Sequence, residues 1–306
     1  MVEAASILEA DRQLPIGDEI FLDHMGHFVR NSEAAARALA RMGFAPTPVS
    51  VQANPDGTPT GTGNVTAMFS RGYVEVLFKT ADTPLGLEFD AALSRHAGVH
   101  LAAFSVADAE AAHRRLTGAG FAMRPLVQFQ RPVDTATGPG VAAFTVVRLE
   151  RGAMAEGRIQ ILAHRTEDTV WQPRWLDHGN GALGLIDMVV ACADVTEAAG
   201  RFERFTGHAP APTRFGQAIA LDRGRVQMFS EAAFAAMFPE IVIPSLPFMG
   251  AYAVRVRSLA TVEGLVQQER MAARRLGAAL VVPFPQELGI GAWVFAEGPA
   301  DLPWRS

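Results

Sequence analysis

A single cysteine, Cys192, stands in the 306 residues of this chain. No disulfide framework and no cysteine-rich metal site can be built from it. Set among Val, Ala and Met residues, it reads as a buried, inert thiol. No run approaches the roughly 20 apolar residues of a membrane span. The apolar core of a signal peptide is also missing, because the N-terminus MVEAASILEADRQLPIGDE is acidic. The basic residues are scattered and the net charge is −5, which argues against nucleic acid or an anionic membrane surface as a partner. There is no low-complexity segment, no G-x-G-x-x-G and no Walker loop. These absences leave a soluble, cytoplasmic protein as the expectation. With 49% hydrophobic and 19% charged residues, the chain has length for about two domains.

What is present is an internal repeat. The strand-like run FLDHMGHFV leads into NSEAAARALARM and stops at Gly43-Phe44, where glycine suits a left-handed helix cap. The pattern returns at Val99 to Phe121, with Asn31 aligned on Asp108 and Gly43 on Gly120. Asn31 and Asp108 are good N-caps for the helices they precede. Further copies begin at Leu185 and Ala251. Short runs rich in Val, Ile and Phe follow each helix: GNVTAMFS and GYVEVLFK, AAFTVVRLE and GRIQILAH, QAIALD and GRVQMFS, ALVVPF and GAWVFAE. Each unit is therefore a strand, a helix and two or three more strands, an α+β design of four βαβββ modules. A helix covers one face of each small sheet, and the other face needs a partner.

The modules pair into halves. Residues 1–16 form an N-terminal extension, 17–165 hold the first two modules, 166–182 a linker with Trp171 and Trp175, and 183–306 the last two modules. The tryptophans are expected to pin the linker against a half. The Pro- and Gly-rich run from Pro125 to Gly140 reads as a loop long enough to form a lid. Arg95 and His96 are placed in a loop before the second module, where they could line a mouth.

With DHMGHFV, GTGNVTAMFSRGYVEVLF and RHAGVHLAAFSVAD on the page, the chain resembles the vicinal oxygen chelate superfamily, and more narrowly its glyoxalase-like proteins with a duplicated, four-module chain. The resemblance implies two half-barrel-like glyoxalase-type domains, with ligands to a divalent metal on the first and last strands of each module. Carried over, His24, Glu75 and Gln160 fall on ligand positions. The fourth position falls on Leu101, with His100 one residue away and on the opposite strand face unless a bulge intervenes. In the second half the corresponding positions are Asp187, Gln227 and Ala251, so that half is expected to be a degenerate partner that closes the pocket or makes a dimer surface.

Mixed N and O ligands suit zinc, nickel, manganese or iron without choosing among them, and the weak fourth position leaves open that no metal is held. Glu75 doubles as a candidate catalytic base. A carboxylate between Val74 and Val76 is costly to bury unpaired, and the plainer alternative pairs it with Arg71, Arg95 or Lys79. His24 could equally be a buried histidine bonded to Asp23. Tyr73 shares the strand parity of Glu75, Asn64 heads a strand beside it, and Arg95 completes the candidate substrate contacts. His27, three residues from His24, belongs to the opposite face. His113 is expected in solvent, and His164, His178 and His208 are assigned no role. The implied activity is a lyase, isomerase or ring-cleaving dioxygenase on a small oxygenated metabolite. The alternatives are a non-enzymatic binding protein and a scaffold with a vestigial pocket. A homodimer is expected in family terms, although four modules can also close their own barrels.

Overall fold

A computed structural model of the chain describes residues 12–54 and 56–305. Most of the expected N-terminal extension, residues 1–11, lies outside the described residues. The first module is β1 (Ile20–Phe28), α1 (Ser32–Arg41), β2 (Ser50–Ala53), β3 (Pro59–Met68) and β4 (Tyr73–Lys79). Helix α2 (Pro84–Arg95) leads to the second module: β5 (Gly98–Val106), α3 (Ala109–Gly118), β6 (Val127–Thr135), β7 (Gly138–Arg148) and β8 (Arg158–His164). After a turn of helix, α4 (Glu167–Val170), come β9 (Ala182–Cys192), α5 (Val195–Thr206), β10 (Pro210–Thr213), β11 (Gly216–Ala220), β12 (Arg225–Ser230) and α6 (Glu231–Met237). The last module is β13 (Phe248–Val256), α7 (Leu259–Gln268), β14 (Arg274–Leu276), β15 (Ala279–Pro283) and β16 (Ala292–Ala296).

The helix starts follow local chemistry. Asn31 accepts a hydrogen bond from the Ala34 N–H at 3.0 Å, and Asp108 accepts one from Ala111 at 2.9 Å, as N-caps do. Gly43 and Gly120 follow the helix ends with φ of 75° and 85°, a conformation that glycine adopts without steric cost. In the last module α7 ends at Gln268, and Gly277 occupies the turn between β14 and β15.

The first eight strands close into a barrel in the order β1-β4-β3-β2-β6-β7-β8-β5. Its ends are stoppered from inside. Phe89 and Leu93 of α2 pack on Phe28, Leu77 and Leu101, while Val170 and Trp171 pack on Met68 and Tyr73. Trp171 thus holds the linker to the first half. The last eight strands form a sheet in the order β10-β11-β12-β9-β13-β16-β15-β14, with β10 and β14 unpaired to each other. Its concave face is filled by Phe234, Met237 and Phe238 of α6 and its flank, and by Leu302 and Trp304 near the C-terminus. The helices and the remaining faces of both sheets share one core that runs from Met25 and Phe104 to Tyr252 and Trp293. Among the described residues, no helix is long and apolar enough to cross a membrane.

Two expectations need correction. The run from Pro125 to Gly140 is a β-hairpin, not a lid: β6 and β7 pair from Val127↔Val146 to Thr135↔Gly138. The alternation of Val127, Phe129 and Val133 carried that signal, and the Pro and Gly content obscured it. Arg95 is not in a loop but ends α2, whose start is set by Thr83 capping the Gly86 N–H and by Pro84 in the first turn.

Candidate active site in the first barrel

Asp23 and His24 are neighbours on β1, and in a regular strand they would face opposite ways. Here Leu22 pairs with Phe104 and His24 with Ala103, so Asp23 is the extra residue of a bulge, which re-aims its side chain. Asp23 Oδ1 lies 2.7 Å from His24 Nδ1 and Oδ2 lies 3.0 Å from His164 Nε2. The carboxylate is fully buried. Burial opposes its charge, but the charge of His164 and the hydrogen bonds from both histidines hold its pKa far below the usual range. Ionised Asp23 accepts from Nδ1–H of His24, which leaves Nε2 as the ring nitrogen turned toward Glu75.

Glu75 reaches the same place because β1 and β4 run parallel, with His24 opposite Tyr73. Its Oε2 stands 3.5 Å from His24 Nε2, beyond ordinary hydrogen-bond distance. Its Oε1 accepts from Asn64 Nδ2 at 2.6 Å. Tyr73 stacks on the His24 ring with centroids 4.3 Å apart. Burial first, and then the charges of Asp23 and Glu75, push the Tyr73 phenol well above its ordinary pKa, so it stays a neutral donor. Lys79 pairs with Asp82 and Asp90, and Arg95 bonds Ser245; neither forms the ion pair with Glu75 weighed from the sequence.

These groups line a cavity of about 60 Å³, walled also by Leu77, Leu101, Phe129 and Leu162. Gln160 faces it, and its Oε1 is buried without a hydrogen-bond partner. His24 Nε2, Glu75 Oε2 and Gln160 Oε1 therefore bring acceptor atoms to one small space, a donor set that fits a hard or borderline cation. Leu101 removes a fourth ligand. Among the described residues, no group of three or more His, Cys, Asp or Glu is placed to hold a metal.

His100 does not join the set. It is the extra residue of a second bulge, since Gly26 pairs with Leu101 and His27 with Val99. The bulge turns the ring not toward His24 but into an adjoining chamber, where Nε2 lies 2.8 Å from the His96 carbonyl. Arg95 lines that same chamber and not the His24 cavity. Gly26 is small for a reason: a Cβ there would meet the Leu101 Cβ at 2.9 Å. His27 does take the opposite face, where Nδ1 bonds the Leu288 carbonyl at 2.9 Å and Nε2 the Tyr252 hydroxyl at 2.8 Å. His113 is not simply solvated, because its Nε2 lies 3.1 Å from the Arg124 carbonyl. Sequence reasoning missed His164 here, along with Arg148 and Arg158 of the cavity lining. His164 lies 141 positions from Asp23, and only closure of the barrel brings them together. In the second half Asp187 and Gln227 do occupy matching places, but they bond each other at 2.9 Å, and Asp187 also accepts from Trp304 Nε1 at 2.7 Å and from Arg305.

A four-module chain with ligand-type residues on the first and last strands of a module is the build of the vicinal oxygen chelate superfamily. The chain belongs to the glyoxalase-like domain family, which matches residues 22–206, the first barrel from within β1 onward and the opening strand and helix of the second half. Solved structures share the fold at low identity. A hypothetical protein from Staphylococcus aureus aligns with TM-score 0.64 at 8% identity, over 90% of this chain and 98% of its own. A mutant of 4-hydroxymandelate synthase from Streptomyces coelicolor gives 0.58 at 14%, over 92% and 94%. An Mn(II)-bound glyoxalase from Novosphingobium aromaticivorans gives 0.52 at 13%, over 92% and 82%. Among curated proteins, no sequence matches the chain.

Proposed function

We propose that the first barrel is a vicinal oxygen chelate-type active site that acts on a small oxygenated metabolite with the help of a divalent cation. The observation that carries this reading is the approach of His24 Nε2 and Glu75 Oε2 to 3.5 Å in a cavity also lined by Gln160, whose Oε1 is buried without a partner. Oxygen and nitrogen lone pairs gathered in a buried place are stabilised by a shared positive charge, whether a proton or a metal cation. His24, Glu75 and Gln160 would hold the metal cation, and the Mn(II) of the similarly folded glyoxalase supports a divalent ion. Bound there, it would supply Lewis-acid polarisation of a carbonyl, enediolate or diol oxygen.

The chain's own residues do the rest. Asp23 fixes the tautomer and tilt of His24, as carboxylates behind ligating histidines do. Asn64 anchors Oε1 of Glu75, which leaves Oε2 either to hold the cation or, once it lets go of it, to take a proton from a carbon beside the substrate carbonyl. Tyr73 O–H donates to a substrate oxygen, and the Phe129 and Leu77 walls keep bulk water from the reacting atoms. A lyase, isomerase or dioxygenase outcome is compatible with these parts.

The rival reading, a binding protein without chemistry, is favoured by Leu101 in place of a ligand and by the neutral Gln160 in place of a carboxylate. Elemental analysis of untagged wild type and Glu75→Gln separates the two. About one metal per chain, lost in the variant, is the expected result. Wild type that takes up no zinc, manganese or ferrous iron sinks the metal-dependent reading.

A further inference from the structure

Beside the His24 cavity lies a larger chamber of about 370 Å³, roughly large enough for a small metabolite. Its lining is unusually basic. Arg95, Arg124, Arg148, Arg151 and Arg158 all face it, against Glu88 and Glu150. Glu88 is fully engaged: it takes Arg158 at 2.9 Å, Arg151 at 2.9 Å and Arg124 at 3.1 Å. Arg124 also lies 3.5 Å from Glu150. Arg148 is left over. Its guanidinium sits over the Phe129 ring, 4.9 Å from the centroid, and its Nε is buried with no hydrogen-bond partner. Burial, and then the positive charge of Arg158, push its pKa down to about 9, against the opposing pull of Glu88. A half-buried guanidinium whose Nε lacks a partner is poised for an anion, and its planar fork matches a carboxylate or a phosphate.

Position makes this more than a basic patch. Arg148, Arg158 and Gln160 line both the chamber and the His24 cavity, so they form the partition between the two. A molecule held by an anionic group on Arg148 would lie against the lining that the chamber shares with the His24–Glu75 cavity.

We propose that the arginine chamber is the anion subsite of the active site: the substrate is a small oxygenated carboxylate or phosphate ester, held by its anionic group on Arg148 while its oxygenated carbons enter the His24–Glu75 cavity. This deepens the proposed function and rests on it only for the second clause. No bond is made or broken at the subsite.

The test uses the full chain after exhaustive chelation, so that no metal can hold the anion, and titrates malonate and inorganic phosphate by calorimetry. One or both should bind in the metal-free protein, and Arg148→Met should weaken binding at least about tenfold. Arg148→Lys, which keeps the charge and loses the fork, should fall between. Preference for malonate or for phosphate identifies the carboxylate or the phosphate as the substrate's anion. Binding that Arg148→Met leaves at the wild-type level overturns the proposal, as does no binding of either anion at about 10 mM. If Arg148→Met fails to unfold cooperatively, the Arg148→Lys arm decides alone, and wild-type affinity there counts against the subsite. Anion binding that appears only with metal, and is lost in Glu75→Gln, would keep the metal site and remove the subsite. Arg148-dependent binding in a protein that never takes up metal would do the reverse.

Discussion

His24 and Glu75 sit on adjacent parallel strands with Nε2 and Oε2 3.5 Å apart, and each is held from behind, His24 by Asp23 and Glu75 by Asn64. The two groups are therefore pre-aimed at each other.

Asp23→Asn should therefore weaken divalent-metal binding by roughly 10–100-fold without unfolding the protein. The amide can no longer enforce Nδ1–H on His24. Titration of zinc and manganese into metal-free wild type and variant measures the change. Equal affinities would show that the Asp23 contact does not orient a ligand.

Leu101 faces the same cavity as His24 and Glu75. Leu101→His should add a nitrogen ligand and tighten metal binding by an order of magnitude or more, at a stability cost of roughly 1–3 kcal/mol in the metal-free state for burying a polar ring. Competition with a chelator of known affinity reads the first effect, and urea unfolding with and without metal reads the second.

Acid should destabilise the fold well above the carboxylate range. His27 and His100 are pushed down to about 4 and His96 to about 3, in each case chiefly by burial. An unfolded chain binds these protons near pH 6.5, so between that pH and about 4 it holds more protons than the folded one. Stability is then full above about 6.5 and falls as pH drops, by at most ~1.4 kcal/mol per pH unit for each proton. The hydrogen bonds around His27 require the neutral ring: Nδ1–H donates to Leu288, and Nε2 accepts from Tyr252, which accepts from Trp293 Nε1 at 2.7 Å. Urea midpoints at several pH values should show the slope, and His27→Gln should flatten it by about one proton. A flat profile in wild type would contradict the buried neutral histidines.

Trp304→Ala should cost about 3–5 kcal/mol, because the indole fills the concave face of the second sheet and donates to Asp187. Metal and anion binding in the first barrel should not change. Calorimetric unfolding and a metal titration on the same variant check both halves of the statement.

The modules were legible because each part of them rests on local signals: strand parity, N-caps at Asn31 and Asp108, and a glycine after the helix. Tyr73 and Glu75 were legible as neighbours through strand parity, and His24 through the resemblance, but the parallel pairing that brings His24 beside them is seen only in the folded barrel. The bulges at Asp23 and His100 were not legible. A bulge is a fact about the partner strand, and one sequence shows only one strand at a time. The His164 contact and the arginine chamber were also hidden, because Arg95, Arg148 and Arg158 come from α2, β7 and β8 and meet only after the barrel closes. Helix α2 was missed because Pro84 at its start reads as a loop until Thr83 is seen capping it.

The two sheets are stitched by backbone as well as by packing. Leu22 N–H donates to the Arg223 carbonyl at 2.8 Å, Ile290 N–H to that of Ala97 at 2.9 Å, and Arg71 N–H to that of Leu183 at 3.2 Å. Such contacts resemble those between subunits of an obligate complex more than those between tethered domains. The covalent linker then sets only the local concentration of one half around the other. A gene split between β8 and β9 should yield two polypeptides that find each other and reassemble, and neither should persist alone.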